Sequence, residues 1–258
     1  MLVETTHLNC CDLVDKYELI DFIYKLNPSK CPGADNLGPL ILDISSSIID
    51  PLLHIYNLSL STGVVPNKLK IAKVIPIFKR GDSHLPNNYR PISLLSVFSK
   101  LLEKVMYNRL YSFLQTNNIL YQYQFGFREN HSTTLALLDV VDQIYAHLDK
   151  HESVVGVYLD LEKAFDTVNH AILLHKLYNY GIRGVVYEWF RNYLHNRTQF
   201  VTVNECNSEV RNIKHGVPQG SLLGPLLFLI ALVSERLRPH LELTQFYLPT
   251  LCIEKTSR

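Results

Sequence analysis

The segment VVGVYLDLEKAFDTVNH, at residues 154–170, constrains the fold more than any other part of this sequence. It opens with a continuous apolar run, which is typical of a β-strand buried on both faces. Asp160 follows directly after that run. Burying a carboxylate is costly unless the group is paired or binds a metal. Asp160 is therefore predicted to be a metal ligand, an N-cap or a salt-bridged strand end.

The position of Asp160 suits phosphoryl transfer, which depends on placing the reacting groups and neutralising their charge. Two Mg²⁺ ions about 3.5–4 Å apart clamp the attacking and leaving oxygens in such reactions, and Mg²⁺ prefers oxygen ligands. The pattern indicates Asp160 as a ligand, with the backbone carbonyl of Leu161 beside it. Asp166 is out of phase with Asp160 and is predicted to cap the following helix instead.

The second informative segment is HGVPQGSLLGPLLFLI, at residues 215–230. Pro218, together with Gly216 and Gly220, predicts a tight turn that brings the backbone close to a ligand. An apolar helix is predicted to follow the turn. The amide of Gln219 can both donate and accept a hydrogen bond, which suits a sugar or a base edge. The same residues also fit an ordinary strand–helix turn.

The net charge of +1 conceals a segregation of charge along the chain. Residues 1–50 carry 3 basic and 8 acidic side chains, whereas residues 66–130 carry 10 basic and 3 acidic ones. A basic middle is what a phosphate-binding surface needs, although a solvated helix face with scattered lysines gives the same count. With 258 residues and 47% hydrophobic content, the chain can bury a full core.

Apolar periodicity predicts an α+β fold, with no linker between independent domains. Helices are predicted over residues 14–26, about 40–60, 96–115, 132–150, 167–181 and 185–194. Strands are predicted over 71–78, 154–159 and 198–204, with a further strand running into the turn over 208–220 and a loop over 79–91. The predicted N-cap of the fourth helix is Ser132 or Thr133. The predicted inward side chains are Val97, Leu101, Val105, Leu110 and Leu114 on the third helix, and Val168, Ile172, Leu173 and Leu177 on the fifth.

No apolar run reaches the roughly 18 residues of a membrane span. The longest, Leu222–Val233, is 12 residues long. The first residues, MLVETTHLNCCD, carry neither a basic leader nor an apolar signal core, which predicts a cytoplasmic or nuclear protein rather than a secreted one. The five cysteines contain no Cys-x-x-Cys pair and are predicted to be reduced thiols.

Both informative segments are similar to active-site motifs of reverse transcriptases, closest to those of non-LTR retrotransposons of the jockey or LINE type. DLEKAFDTVNH resembles the first palm motif, and GVPQGSLLGPLLF resembles another, with Gln219 placed 59 residues after Asp160. This resemblance implies that Asp160 and the Leu161 carbonyl bind the metal ions, and that Gln219 and Gly220 contact the incoming nucleotide. It also implies that Phe165 is a steric gate that excludes a 2′-hydroxyl. Taken as an isolated aromatic on an apolar face, Phe165 is a core residue.

Two upstream segments resemble the fingers of the same family. The segment over residues 70–110 has Lys79, Arg80 and Arg90 where basic side chains meet the nucleotide triphosphate. A planar guanidinium is a good bidentate phosphate partner. QFGFRENHSTTLALL, at residues 124–138, has Arg128 near the template or the nucleotide. For each of these cations, solvated surface charge is the alternative.

The resemblance covers about residues 20–231 and implies the fingers and partial palm of a right-hand polymerase, without a thumb. It divides the chain into a helical N-terminal extension (1–66), fingers (67–150), a partial palm (151–231) and a tail unlike the family (232–258). The implied function is that of an RNA-directed DNA polymerase. Its implied partners are an RNA template, a DNA primer and deoxynucleoside triphosphates, and its implied cofactor is a pair of Mg²⁺ ions.

The sequence departs from the family in one respect that bears on activity. The family carries an aspartate pair on a hairpin after the turn with the glutamine, whereas the last aspartate of this chain is Asp166. We therefore expect a catalytically defective chain, with a palm-sheet edge left unpaired because the hairpin is missing. The alternatives are a non-catalytic RNA-binding remnant and a structural remnant that does not fold stably.

Overall fold

The computed structural model describes residues 13–27, 29–38, 45–121, 123–158, 161, 163–232, 244–246 and 251–255. In chain order the elements are α1 (Lys16–Tyr24), α2 (Ser45–Thr62), β1 (Ile71–Phe78), β2 (Tyr89–Leu95), α3 (Val97–Thr116), α4 (Thr133–Leu148), β3 (Val154–Tyr158), α5 (His170–Asn179), α6 (Gly184–Leu194), β4 (Thr198–Val203), β5 (Cys206–Asn207), β6 (Arg211–Asn212), α7 (Leu223–Leu232), β7 (Thr244–Phe246) and β8 (Leu251–Lys255). The predicted α+β class is confirmed.

One sheet is built around β1, with the strand order β2-β1-β4-β5 and with β6 paired to β4. β1 and β2 are antiparallel, so that Ile77 lies opposite Arg90. β1 and β4 are parallel, with Ile71 opposite Thr198. The strands predicted over 71–78 and 198–204 are confirmed as β1 and β4, whereas the strand predicted to lead into the turn pairs only at β6.

β2 occupies residues that the sequence partly assigns to a loop. Proline lacks an amide hydrogen and is normally excluded from the interior of a sheet. Here Pro91 lies in β2, the edge strand of the sheet, opposite Pro76 of β1, and Pro76 lies beyond Val74, the last residue of β1 that is paired with β4. The missing donors therefore break little of the ladder, and the loop prediction is wrong from Tyr89 onward.

The second sheet has the strand order β3-β8-β7 and is antiparallel throughout. β8 pairs with β3 along its length, from Val154 opposite Lys255 to Tyr158 opposite Leu251. The expectation of a palm-sheet edge left unpaired is therefore wrong on this side of β3, because residues of the tail pair with it. The expectation that β3 is buried on both faces is also wrong, since Val155 is 48% exposed. Among the described side chains of this strand, Val154 packs against a small cluster around Val140 of α4.

The helices form one hydrophobic core, to which α1, α2, α3, α5, α6 and α7 all contribute. The five side chains predicted to face inward on α3 are all buried. Around α5, Leu173 and Leu177 are buried as predicted, as is Val168 before it, whereas Ile172 is 56% exposed and the prediction is wrong there. Within the described part of the chain, no helix is both long and apolar enough to cross a membrane.

The helix caps agree with the sequence at α4 and differ from it at α5. The Ser132 hydroxyl accepts a hydrogen bond from the Leu135 amide at 3.1 Å, which confirms the predicted cap of α4. At α5 the cap is Asn169, whose side-chain oxygen accepts from the Ala171 amide at 2.9 Å. The predicted capping role of Asp166 is therefore wrong, because Asp166 lies three residues too early, in the preceding turn.

Candidate active site

The two motifs of the sequence analysis are joined by backbone hydrogen bonds. The Gly216 amide donates to the Val168 carbonyl and the Val217 amide donates to the Phe165 carbonyl, both at 2.8 Å. Gly216 has a φ of +86°, and a Cβ on it would lie 2.9 Å from the Asp166 Cα. Only glycine fits this backbone geometry and this close approach. The turn over Gly216–Gly220 is thus held against residues 165–168, which lie between β3 and α5.

His170 adds a side-chain link between the same two segments. Its Nε2 lies 2.7 Å from the Gly216 carbonyl oxygen, and because a carbonyl only accepts, Nε2 carries the proton. Burial lowers the pKa of His170, and the nearby charges of His215 and Arg197 lower it further, against the Gly216 hydrogen bond, which raises it. The imidazole therefore favours its neutral form at this position.

The opposite end of the Gly216–Gly220 turn is held by β2. The Ser93 amide donates to the Gln219 carbonyl at 2.7 Å. Gly220 has a φ of +126°, and a Cβ on it would lie 2.5 Å from the Ser93 carbonyl oxygen. The side chain of Gln219 is half-buried. The turn therefore bridges the segment after Asp160 and the sheet that carries the basic residues.

Three of the predicted phosphate-binding cations lie together at one end of the β1–β2 hairpin. Lys79 and Arg80 directly follow β1, and Arg90 lies in β2 opposite Ile77. All three side chains are exposed. Arg90 is three residues from Ser93, which is roughly 10 Å along a strand. The hairpin thus brings the three cations to one end of the strand that contacts the Gly216–Gly220 turn.

Arg128, the predicted template residue, lies in the loop before α4 and is half-buried. Its Nη1 donates to the Tyr121 carbonyl at 2.8 Å, and the Gln124 carbonyl is 3.5 Å away. The guanidinium therefore supports the conformation of its own loop. Its contact with a template stays a prediction.

Phe165, the predicted gate, lies at the margin of the core. Its ring stacks on that of Phe228 in α7, with centroids 4.8 Å apart, and meets the Phe127 ring edge-on at 5.8 Å. The side chain is half-buried. This packing holds the ring in place, and the gating role stays a prediction.

The predicted metal ligands are only partly described. Asp160 lies outside the described residues, and Leu161, whose carbonyl is the second predicted ligand, has a side chain that is 50% exposed. Among the described residues, no three histidine, cysteine, aspartate or glutamate side chains come together as a metal site would require. Binding of Mg²⁺ by Asp160 and the Leu161 carbonyl stays a prediction.

Sequence reasoning does not identify three residues that support this site, namely Ser93, Glu103 and His170. The sequence predicts no strand at Ser93, so nothing in it indicates the hydrogen bond between the Ser93 amide and the Gln219 carbonyl. Glu103 is an acidic residue among the apolar positions of α3, and this was a usable signal. His170 directly follows the Asn169 cap, where a polar residue is ordinary.

Comparison with known proteins agrees with these observations. A model of the family described as reverse transcriptase (RNA-dependent DNA polymerase) matches residues 77–245. The probable RNA-directed DNA polymerase from transposon BS of Drosophila melanogaster is 37% identical over 213 residues, which are 82% of this chain and 23% of that protein. The RNA-directed DNA polymerase from mobile element jockey of Drosophila funebris is 34% identical over 221 residues, which are 85% of this chain and 24% of that protein.

The chain thus spans about a quarter of the length of the curated relatives that it matches. The family match begins within β1 and extends past α7, so it includes the turn over Gly216–Gly220 and every predicted site residue. A second polymerase from mobile element jockey, that of Drosophila melanogaster, is 35% identical over 213 residues, which are 82% of this chain and 23% of that protein. The chain belongs to the reverse transcriptase (RNA-dependent DNA polymerase) family, and within it to the group from non-LTR retrotransposons.

Proposed function

We propose that this chain forms the fingers and the first part of the palm of an RNA-directed DNA polymerase. The polymerase copies an RNA template from a DNA primer, uses deoxynucleoside triphosphates, and works in the cytoplasm or the nucleus. The observation that carries the proposal is the Gly216–Gly220 turn, which is hydrogen-bonded to the turn after Asp160 on one side and to Ser93 on the other. The nucleotide site that the motifs predict lies at this junction.

In this proposal, each predicted residue has one task. Lys79, Arg80 and Arg90 bind the triphosphate, because exposed cations at the end of one hairpin can converge on its oxygens. Gln219 orients the sugar or the base. The template strand is contacted by Arg128.

The remaining tasks concern the sugar and the metal ions. The ring of Phe165, held by Phe228, excludes a 2′-hydroxyl. Asp160 and the Leu161 carbonyl hold Mg²⁺, which reverse transcriptases generally use. When bound, Mg²⁺ supplies charge neutralisation at the reacting phosphate.

A second candidate function is RNA binding without catalysis. One observation favours it: the three exposed cations of the hairpin form a surface that RNA phosphates can bind. Both functions require the basic surface, and only the polymerase requires Asp160. The first experiment therefore tests the requirement that the two functions share.

Binding of a labelled single-stranded RNA should weaken steeply with salt. Each neutralised phosphate contributes about −0.7 to the slope of log K against log salt concentration, so four contacts give a slope of about −3. Replacing Lys79, Arg80, Arg90 and Arg128 together by alanine should flatten this slope to near zero. Fluorescence anisotropy across a salt series measures it.

A matched control variant tests whether RNA binding depends on this surface or only on the net charge of the chain. It removes four exposed cations elsewhere by alanine substitution, namely Lys16, Lys150, Arg183 and Arg191. The exposed pairs that they form contribute little to stability. The control should keep the wild-type slope. An equal loss of slope in both variants would show that the RNA responds only to net charge, and would refute the proposed surface.

A further inference from the structure

Glu103 is a buried carboxylate of α3, and the proposed chemistry does not use it. The residue is 1% exposed. Its Oε2 accepts a hydrogen bond from the Leu222 amide at 2.8 Å, and its Oε1 accepts one from the Tyr193 hydroxyl at 2.7 Å. A buried carboxylate is tolerated only when its oxygens are well paired. Both oxygens of Glu103 are paired, and one of the donors is backbone next to the Gly216–Gly220 turn.

The electrostatic surroundings of Glu103 offset part of the cost of its burial. Burial raises the pKa of Glu103, while the Arg197 charge and the hydrogen bonds from Tyr193, Leu222 and Leu223 act in the opposite direction. Leu222 and Leu223 stand at the start of α7, where free amides and the helix dipole favour a negative charge. The carboxylate therefore lies where α7 begins and holds the start of that helix to α3.

The backbone between Gln219 and α7 leaves little freedom for movement. The Ser221 hydroxyl accepts from the Gly224 amide and donates to the Pro218 carbonyl, both at 2.9 Å. A displacement of Leu222 is therefore transmitted to the turn. Ser93 holds the turn at the Gln219 carbonyl, and Glu103 holds it three residues later.

We propose that Glu103 is a positioning residue that fixes the Gly216–Gly220 turn through the Leu222 amide and so sets where the Gln219 side chain lies. Glu103 is not among the residues proposed to bind the nucleotide or the metal ions, and its contacts are with Tyr193 and Leu222. The mechanical part of this proposal depends only on the contacts above. The consequence for nucleotide binding rests on the proposed function.

Hydrogen exchange of the turn tests the mechanical part. Glu103→Leu removes both acceptors, and peptides covering residues 216–226 should exchange about tenfold faster or more, because a hydrogen bond to a charged group is lost. Glu103→Gln keeps an acceptor for the Leu222 amide and should stay within about threefold of wild type. Leu110→Ala, a buried change on the same helix, serves as the control for general loss of stability. The denaturant concentration is chosen so that Leu110→Ala and Glu103→Leu have the same free energy of unfolding. Under these conditions residues 216–226 of Leu110→Ala should stay protected from exchange.

Tyr193→Phe gives a second measurement in case Glu103→Leu does not fold. It removes the other donor to the carboxylate and leaves the turn sequence intact. Exchange over residues 216–226 should rise about threefold, and other segments should stay unchanged. If the folded variants of Glu103 and Tyr193 exchange like wild type in this segment, Glu103 does not position the turn.

Nucleotide affinity tests the functional part. The probe is dTTP bound to the chain with oligo(dT)-primed poly(rA), with Ca²⁺ replacing Mg²⁺. Glu103→Leu should weaken dTTP binding about tenfold with template–primer affinity unchanged, and Glu103→Gln should restore it. Faster exchange with unchanged dTTP affinity would overturn the nucleotide role. If the wild type binds no dTTP, the proposed function fails, while the exchange result still decides the positioning role.

Discussion

At the scale of single residues, His170 is the side chain that ties the two motifs together. It is the first residue of α5, and it donates to the Gly216 carbonyl across 46 residues of sequence. Burial is the largest cause that lowers its pKa. A histidine in such a position couples the stability of the site to pH.

The free energy of unfolding should fall as the pH drops below about 6.5, the ordinary pKa of histidine. In the unfolded chain His170 takes up a proton near that pH, whereas the folded chain resists protonation because its pKa is lowered. The contribution is therefore fully present above pH 6.5 or so and is lost below it. His170→Gln, which keeps an amide donor, should show a weaker pH dependence in urea unfolding between about pH 7 and pH 5.

His84→Gln is the control for this measurement, since His84 is exposed in the loop before β2. Burial raises the pKa of Glu103, so its contribution to the pH dependence of stability has the opposite sign to that of His170. This contribution is the same in wild type, His170→Gln and His84→Gln. Identical pH profiles for wild type and His170→Gln would contradict the buried, neutral state of His170.

At the scale of elements, the Gly216–Gly220 turn joins the palm segment to the fingers sheet by contacts that no side chain can replace. Its glycines have positive φ values and lie against backbone, so the turn tolerates no Cβ at either end. In the hairpin of β1 and β2, the edge position of β2 admits Pro91, which lies opposite Pro76 of β1. Backbone geometry therefore limits the permitted residues here.

Gly220→Ala should destabilise the chain by about 1–3 kcal/mol, the cost of a strained backbone conformation. The Ser93 carbonyl must also move, because the new Cβ would lie 2.5 Å from its oxygen. Gly38→Ala is the matched control: no atom of the residues that the structure describes lies within 4 Å of its Cβ position, and its φ is ordinary. It should change the free energy of unfolding by less than about 0.5 kcal/mol. Urea denaturation compares the two, and equal effects would show that Gly220 is not constrained.

At the scale of the whole molecule, one core unites segments that the motifs treat separately. The N-terminal helices belong to it: the Trp189 indole donates to the Ser59 hydroxyl at 3.1 Å, and the Tyr56 hydroxyl donates to the Phe98 carbonyl at 2.6 Å. The basic hairpin is thus carried by the same folded unit as the turn. We therefore expect this folded unit to bind RNA even when it does not synthesise DNA.

These 258 residues, assayed as such, should show no templated DNA synthesis. Asp160 and one carbonyl cannot hold two metal ions in register, and the chain has no aspartate after Asp166. The loss of the other ligands should lower the rate at least about 10³-fold. Primer extension on an RNA template, with Mg²⁺ or Mn²⁺, measures it. Synthesis that Asp160→Ala abolishes would contradict this expectation.

The local patterns of the sequence were sufficient to identify the family and to predict most of the helices and the Gly216–Gly220 turn. The 3.6-residue period of α3 and the glycines around Gln219 act within a few residues, so their consequences can be read without knowing the rest of the fold. The exposed cations of the hairpin were likewise identified from the resemblance. The roles of Phe165 and Arg128 rest on the resemblance alone, whereas that of Asp160 rests also on its position after an apolar run; all three stay predictions.

Only the tertiary structure decided the contacts that join distant segments. They include the pairing of β8 with β3, the pairing of β2 with β1 and the contact of Glu103 with Leu222. The polar residue in α3 marks Glu103 as unusual, but nothing near it in the sequence identifies its partner. Each of these contacts depends on which backbone donor or acceptor lies opposite a residue in the folded chain, and Glu103 and Leu222 are 119 positions apart. Hydrogen-bond partners at such a separation are set by packing of the whole core, because a buried polar group must be satisfied by whatever group the fold brings to it.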